Sequence, residues 1–413
     1  MDLSFELEEI RVGDIANVQT GPFGSQLHKG DYVQYGTPII TVEHLGDNKI
    51  LHNDTPFVSD EDAQRLSKYS LKEGDIVFSR VGSVDRRAYV SKKEEGWLFS
   101  GRCLRLRVNN TKKIDSRYLS YYFGLERFKE YVRSIAVGAT MPSLNTKIMS
   151  DLKFKAPKLT VQMKISNILS SIDSKIELNH AINKNLEDMA QALFKRWFVD
   201  FEFPNENGEP YKSSGGAFED SELGFIPNEW EIRKIGDVLA LEYGKALKKS
   251  ERMNGAIPVY GSNGRVGYHN THLVKGPGIV VGRKGNPGVV KFVNTDFYPI
   301  DTTFYVVSRV SNFFSLNYIY HTLSRQNLKS LSADSAVPGL NRNIVYMSNM
   351  LIPPRELLDE FESRGQSFRD LISEKEVEND VLSQIRDTLL PKLMSGEIRV
   401  PVEQVYEEVH TGL

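Results

Sequence analysis

Two stretches of this 413-residue chain concentrate side chains suited to one kind of chemistry, the binding of polyanions. In the first, Arg80, Arg86, Arg87, Lys92, Lys93, Arg102, Arg105 and Arg107 fall among few acids and beside Gly82. In the second, Lys245, Lys248, Lys249, Arg252, Arg265, Arg283, Lys284 and Lys291 do the same, with Tyr243, Tyr260 and Tyr268 interleaved and Gly285 at the turn. Glycine lets a backbone approach a phosphate closely, Arg and Lys neutralise it, and a guanidinium can pair bidentately with a guanine edge. A solvated charged face would use the same residues. The recurrence of the stretch, with Ser79-Arg80-Val81-Gly82 matching Gly282-Arg283-Lys284-Gly285, favours nucleic-acid contact. The segment PFGSQLHKGDYV, from Pro22 to Val33, is either a further phosphate-contacting loop or a tight turn.

Catalytic patterns are missing. The sequence holds no GxxxxGK[ST] loop, no GxGxxG after a strand and no HExxH. Asn286-Pro287-Gly288 lacks the second proline and the aromatic that an amino-methyltransferase uses to hold a flipped adenine. His44, His52, His180, His269 and His272 are too scattered for a zinc site. The lone cysteine, Cys103, reads as a packed residue and excludes an internal disulfide, which suits a reducing, cytoplasmic setting. No apolar run reaches the ~20 residues of a membrane span, and the acidic start does not read as a secretory signal. A net charge of −2 means that any attraction for nucleic acid must come from local faces.

These loops need elements to position them. Residues 1–157 read as a β-rich domain, with strand-like runs IRVGDIANVQ, TPIITVEHL, GDIVFSRVG, AYVSKK and CLRLRVN separated by Gly, Asn, Asp and Pro clusters. Residues 158–200 form a long helix without Gly or Pro; at 1.5 Å per residue it would span roughly 60 Å. Ile165, Ile172, Asn179, Leu186 and Leu193 recur on a seven-residue step, and Ile168, Ile182 and Met189 are expected to supply the second coiled-coil seam. The stretch 201–226, polar, acidic and rich in Gly and Pro, reads as a linker. A second domain follows over 227–353, a second helix over 354–395 and a tail over 396–413.

The second half repeats the first. Phe361, Phe368, Lys375, Leu382 and Leu389 each lie 196 residues beyond their counterparts in the first helix, so Lys375 answers Asn179 as a polar break in the stripe. MPSLNTKI matches VPGLNRNI at Pro142/Pro338, Leu144/Leu340, Asn145/Asn341 and Ile148/Ile344 with the same offset, whereas upstream offsets reach 223 at Gly13/Gly236. Loop lengths differ between the domains, while the exit motif and helix keep strict register. Asn145 and Asn341 are expected to hold the turn into the helix. A central polar residue fixes register and partner number, in either a parallel or an antiparallel pair. The aromatic cluster Phe194, Trp197, Phe198, Phe201 and Phe203 either packs against the next domain or docks a partner.

The order domain, helix, domain, helix resembles the specificity subunit of type I restriction–modification systems. The pieces that carry the resemblance are GPFGSQLHKGDY, IPVYGSNGRVGYHN, the paired MPSLNTKI and VPGLNRNI, and the helix endings MAQALFKRWFVDFE and LLPKLMSGEI. It implies an α+β chain with two target-recognition domains in tandem, each reading half of a bipartite site in double-stranded DNA, separated by an intramolecular antiparallel coiled coil. It also implies two methyltransferase subunits and two restriction subunits as partners, with S-adenosylmethionine, ATP and magnesium in those chains and no cofactor, catalytic residue or metal in this one. The DNA-contacting residues expected here are Arg80, Arg86, Arg87, Arg102, Lys245, Lys248, Arg265, Arg283 and Lys284. A duplicated protein–protein scaffold and a self-contained DNA-modifying enzyme are the competing classes.

Overall fold

The computed structural model describes residues 6–138, 140–310, 315–331 and 339–401. Pro338 of the second exit motif and the tail beyond residue 401 lie outside them. The chain divides into two compact units, Met1–Ile176 with Asp380–Leu413, and Glu177–Asn379.

In the first unit an antiparallel four-stranded sheet runs in the order Ala16–Thr20, Cys103–Val108, Ile76–Ser79, Arg87–Tyr89. A three-stranded sheet places Thr37–Ile40 between Phe57–Val58 and a parallel Leu98–Phe99. Glu8–Arg11 pairs antiparallel with Lys153–Ala156, tying the start of the domain to its exit. The alternation of Lys153, Phe154, Lys155 and Ala156 turns Phe154 and Ala156 inward and both lysines outward.

The second unit repeats this topology strand for strand. Its four-stranded sheet runs Leu239–Tyr243, Thr303–Ser308, Gly278–Gly282, Val290–Val293; its three-stranded sheet runs Gly264–His269, Ile257–Gly261, Tyr298–Pro299; and Glu231–Lys234 pairs with Asn349–Ile352. The duplication read from scattered sequence matches is thus a duplication of fold.

Two long helices, Leu159–Phe198 and Arg355–Ser395, pair antiparallel within each unit. In the second unit Asn179, Asn183 and Glu187 of the first helix bond Asn379, Ile372 and Arg369 of the second, so one runs forward as the other runs back. In the first unit Asp173 accepts from Arg386 at 2.9 Å and from Tyr121 at 2.5 Å. The seven-residue stripe is inward throughout: Ile165, Asn179 and Phe361 are buried, and Ile172, Leu186, Leu193, Phe368, Lys375, Leu382 and Leu389 are half-buried.

The second seam differs from expectation. It consists of Leu169, Ile176, Asn183, Ala190 and Trp197, four residues after each stripe position rather than three. Ile168 and Met189, expected there, are 37% and 55% exposed. Positions three and four along a helix flank the stripe on opposite sides, and hydrophobicity pointed to the wrong flank because the true seam includes Asn and Ala. The stripe residues are therefore d positions, and Gly365, Ile372, Asn379, Arg386 and Leu393 complete the second helix's seam as a positions.

Both helices also belong to the domain cores. Ile165, Leu169, Leu393 and Met394 are buried with Ile10, Phe78, Leu106 and Met149 in the first unit. Phe194, Trp197, Phe198 and Phe361 are buried with Trp230, Leu241, Tyr318 and Val281 in the second. Each such side chain taken from water contributes about 1.5–3 kcal/mol. The aromatic cluster thus packs inside its own unit, with Phe198 against Tyr318 at 4.7 Å and Phe361 at 4.9 Å between ring centres. The stretch after it, expected as a loose linker, carries a hairpin of Phe218–Ser221 with Gly224–Pro227, and Phe203 stacks between Tyr211 and Trp230. Stacked rings of this size order an otherwise polar segment.

Candidate nucleic-acid interface

The repeated loop is built the same way twice. After the strand Ile76–Ser79 the Arg80 amide donates to Arg102 O at 2.8 Å, and Arg80 O accepts from Leu144 N at 2.8 Å. After Gly278–Gly282 the Arg283 amide donates to Thr302 O at 2.9 Å, and Arg283 O accepts from Leu340 N at 2.9 Å. Two residues on, Gly82 and Gly285 adopt φ of 81° and 80°, a left-handed turn that disfavours any side chain bearing a Cβ. Leu144 and Leu340 belong to the exit motifs, so each motif clamps an arginine loop with its own backbone. The asparagines beside them cap short helices: Asn145 Oδ1 accepts from Ile148 N at 2.8 Å and Asn341 Oδ1 from Asn343 N at 3.0 Å, the turn-holding role expected of them.

Arg80 lies over the exposed Phe23 ring at 5.8 Å, and exposed Arg102 adjoins it through the backbone. Arg283 donates to Asp301 O through Nε and Nη2 and lies 5.2 Å from the Tyr243 ring, which Arg342 approaches at 4.7 Å. Tyr243 is 48% exposed. A ring that two guanidiniums share helps to orient them without neutralising their charge. Lys245 and Lys284 are exposed; among the described residues Arg80, Arg102, Lys245, Arg283 and Lys284 have no carboxylate in ion-pair range. Exposed Arg265 stacks on Tyr268 at 5.0 Å, and exposed Lys248 lies 3.7 Å from Glu251. Arg342 was not singled out in the sequence. It sits in the second exit motif, where the first has Thr146, away from the basic cluster.

Not every arginine of the basic stretches faces outward. Arg87 is a correction: it is 3% exposed, its Nε donates to Ser120 O at 2.6 Å, and burial lowers its pKa. Arg86 donates to Leu45 O at 3.1 Å and is half-buried. Arg105 spans to Ser70 O, and Arg107 grips buried Asp75 through two bonds of 2.7 and 2.6 Å. Alternate residues of one strand point to opposite faces, so a run of charge in sequence is divided between surface and interior. In the segment after Gly21, Leu27 and Tyr32 pack on the smaller core of the first unit while Phe23 and Tyr35 stay exposed at 57% and 78%.

Other candidate chemistry is absorbed by the fold. Cys103 is buried, and burial pushes its thiol up to about 12. His44 is buried beside Thr41, His52 meets Glu94 at 2.6 Å, and His269 Nδ1 accepts from Met253 N. Among the described residues no group of three His, Cys, Asp or Glu is placed to hold a metal. No helix among them is long and apolar enough to cross a membrane.

Fold and site together define a tandemly duplicated α+β protein that presents a clamped arginine loop in each half. The profile of the type I restriction modification DNA specificity domain matches residues 6–188 and again 227–356. The chain is 28% identical over 318 residues to the MjaIX specificity subunit of Methanocaldococcus jannaschii, covering 70% of each chain. It is 24% identical over 445 residues to the HindI specificity subunit of Haemophilus influenzae, covering 87% of this chain and 95% of that one. A solved S subunit of a type I restriction-modification system from M. genitalium superposes with a TM-score of 0.57 at 15% identity, over 95% of this chain and 97% of that one. The chain belongs to the type I restriction–modification specificity family; it is the DNA-recognition component of such a system and not its catalyst.

Proposed function

We propose that the two domains read the two halves of a bipartite site in double-stranded DNA and that the helix pair sets the unspecified spacer between them. The observation that carries this reading is the twofold occurrence of one arginine loop, clamped by the same backbone bonds in both halves but surrounded by different side chains. Backbone-held guanidiniums suit phosphate positioning, whereas the divergent residues around them suit different base edges. Each domain enters the major groove of its half-site. Partner subunits, two methyltransferase and two restriction chains using S-adenosylmethionine, ATP and magnesium, then methylate adenine or cleave. The exposed Met163, Ile168, Leu178 and Met189 on the first helix offer these partners an apolar footing. The system works in the cytoplasm.

A strut of roughly 60 Å can hold two readers one to two DNA turns apart, since a turn is ~34 Å. Inserting one heptad into both helices adds ~10 Å, about three base pairs. The preferred site of a reconstituted methylating complex is expected to gain about three spacer positions with both half-sites unchanged. An unaltered spacer would refute the ruler.

A further inference from the structure

Each unit holds an ion pair between the long helices, and in both the first helix supplies the acid. In the first unit Asp173 meets Arg386 at 2.9 Å and also takes the Tyr121 hydroxyl. In the second unit Glu187 of the first helix meets Arg369 of the second at 2.5 Å. Arg369 is 2% exposed, lies against both the Phe292 and Tyr320 rings at 4.5 and 4.4 Å, and donates to Asn317 Oδ1. Asp173 and Arg369 occupy the same position of the repeat, 196 residues apart. One repeat position therefore carries an acid in one half and a base in the other, each matched across the pair.

The constant offset shows what would happen if two copies of the chain exchanged helices. With the first helix of another chain in place of the second, Asp173 stands where Arg369 was, and Glu187 meets an aspartate. With the second helix of another chain in place of the first, Arg369 stands where Asp173 was, and Arg386 meets an arginine. Both like-charge contacts fall at partly or fully buried positions, where an unpaired charge is costly. The central amides discriminate in one arrangement alone. Asn183 holds the repeat position of Asn379, so Asn179 would find an asparagine in a pair of first helices, whereas Lys375 holds that of Asn179, so Asn379 would meet a lysine in a pair of second helices.

We propose that the Asp173–Arg386 and Glu187–Arg369 pairs select the second helix as partner of the first against the same helix of a second copy, while the Asn179–Asn379 pair fixes register. The attractive pairs favour a first helix against a second, and the change of sign between repeat positions builds in repulsion against the pairing of like helices. An exchanged assembly would unite two copies of one recognition domain on a strut, and selection at the helices prevents it.

The test uses the full chain with both signs reversed at the residues not enclosed by a domain, Glu187→Arg with Arg386→Glu. Own-chain pairing then sets Arg against Arg369 and Glu against Asp173, whereas exchange sets them against Asp173 and Arg369 of a second chain. Mass in solution by light scattering is expected to double for this variant and to fall back in high salt. The unchanged chain and the neutral Glu187→Gln/Arg386→Gln variant are expected to keep the mass of one chain. A one-chain mass for the reversed variant, its aggregation without a discrete two-chain species, or a two-chain mass for the neutral variant or the unchanged chain would each overturn the proposal.

Discussion

Asn179 Nδ2 donates to Asn379 Oδ1 at 2.9 Å in the middle of the helix pair, with Asn179 fully buried and Asn379 7% exposed. The same amide also reaches Glu378, which Lys375 holds at 3.2 Å. Two facing asparagines at such a position are less stabilising than two leucines but penalise any slip that separates them.

Breaking that pair from one side is expected to cost more than removing it. Asn179→Leu leaves the Asn379 amide buried without its partner and should destabilise by about 1–3 kcal/mol. The double variant Asn179→Leu/Asn379→Leu should recover that loss or exceed the original stability. Thermal unfolding of the three proteins decides it; a double variant as unstable as the sum of both singles would contradict the pairing.

Gly365 lies in the second helix where a Cβ would stand 2.7 Å from Asn317 Cγ. Asn317 has little freedom to move, because its amide donates to Glu362 at 3.1 Å and its oxygen accepts from Arg369 at 3.1 Å. Gly365→Ala should therefore destabilise by about 1–3 kcal/mol through overpacking, although alanine in an open helix would gain about 1 kcal/mol. A raised unfolding temperature would show that the helix approaches Asn317 less closely.

Burial, and secondarily the charge of Arg369, hold the His321 imidazole down to about 3, against 6.5 in an ordinary setting. The unfolded chain takes up this proton near pH 6.5 and the folded chain only near 3. Stability is consequently whole above pH 6.5 and drains as pH falls through that window. His321→Leu should shallow the acid-side decline in unfolding temperature between pH 6.5 and 3 by up to about one proton's worth. Parallel curves for the two proteins would place the imidazole in contact with water.

Arginines a few residues apart are expected to fail differently. Arg80→Ala and Arg283→Ala should leave the fold intact, weaken DNA binding by the assembled complex and lower its salt dependence by about one ion for each phosphate no longer neutralised. Arg87→Ala should instead lower the unfolding temperature, because it empties a buried site bonded to Ser120 O. Measuring salt-dependent affinity and melting on all three separates surface from scaffold; an Arg87 variant of normal stability would reverse its placement.

Much of the architecture is legible in the sequence. The offset of 196 carries the duplication, and the runs around Ile76–Ser79 and Cys103–Val108 fall where strands lie. Local pattern fixes such elements because their period is short. What could not be read depends on tertiary partners. Whether Arg87 or Arg80 faces water is decided by a carbonyl 33 residues away, at Ser120. The seam's phase was misjudged because Asn183 and Ala190 lie inside while Ile168 and Met189 do not, a choice made by the facing helix. Helix direction needed Asn179, Asn183 and Glu187 to be seen against Asn379, Ile372 and Arg369. The Tyr243–Arg342 contact joins residues 99 apart and left no local trace.

The most direct measurement is the DNA site chosen by a methylating complex reconstituted with this chain, read as modified adenines across a random-sequence library. The expected result is two short specified blocks at one fixed separation, with unspecified positions between them, and with Arg80→Ala weakening selection through one block and Arg283→Ala through the other. A single continuous block, a freely variable separation, or methylation without sequence preference would contradict recognition by two domains on one strut.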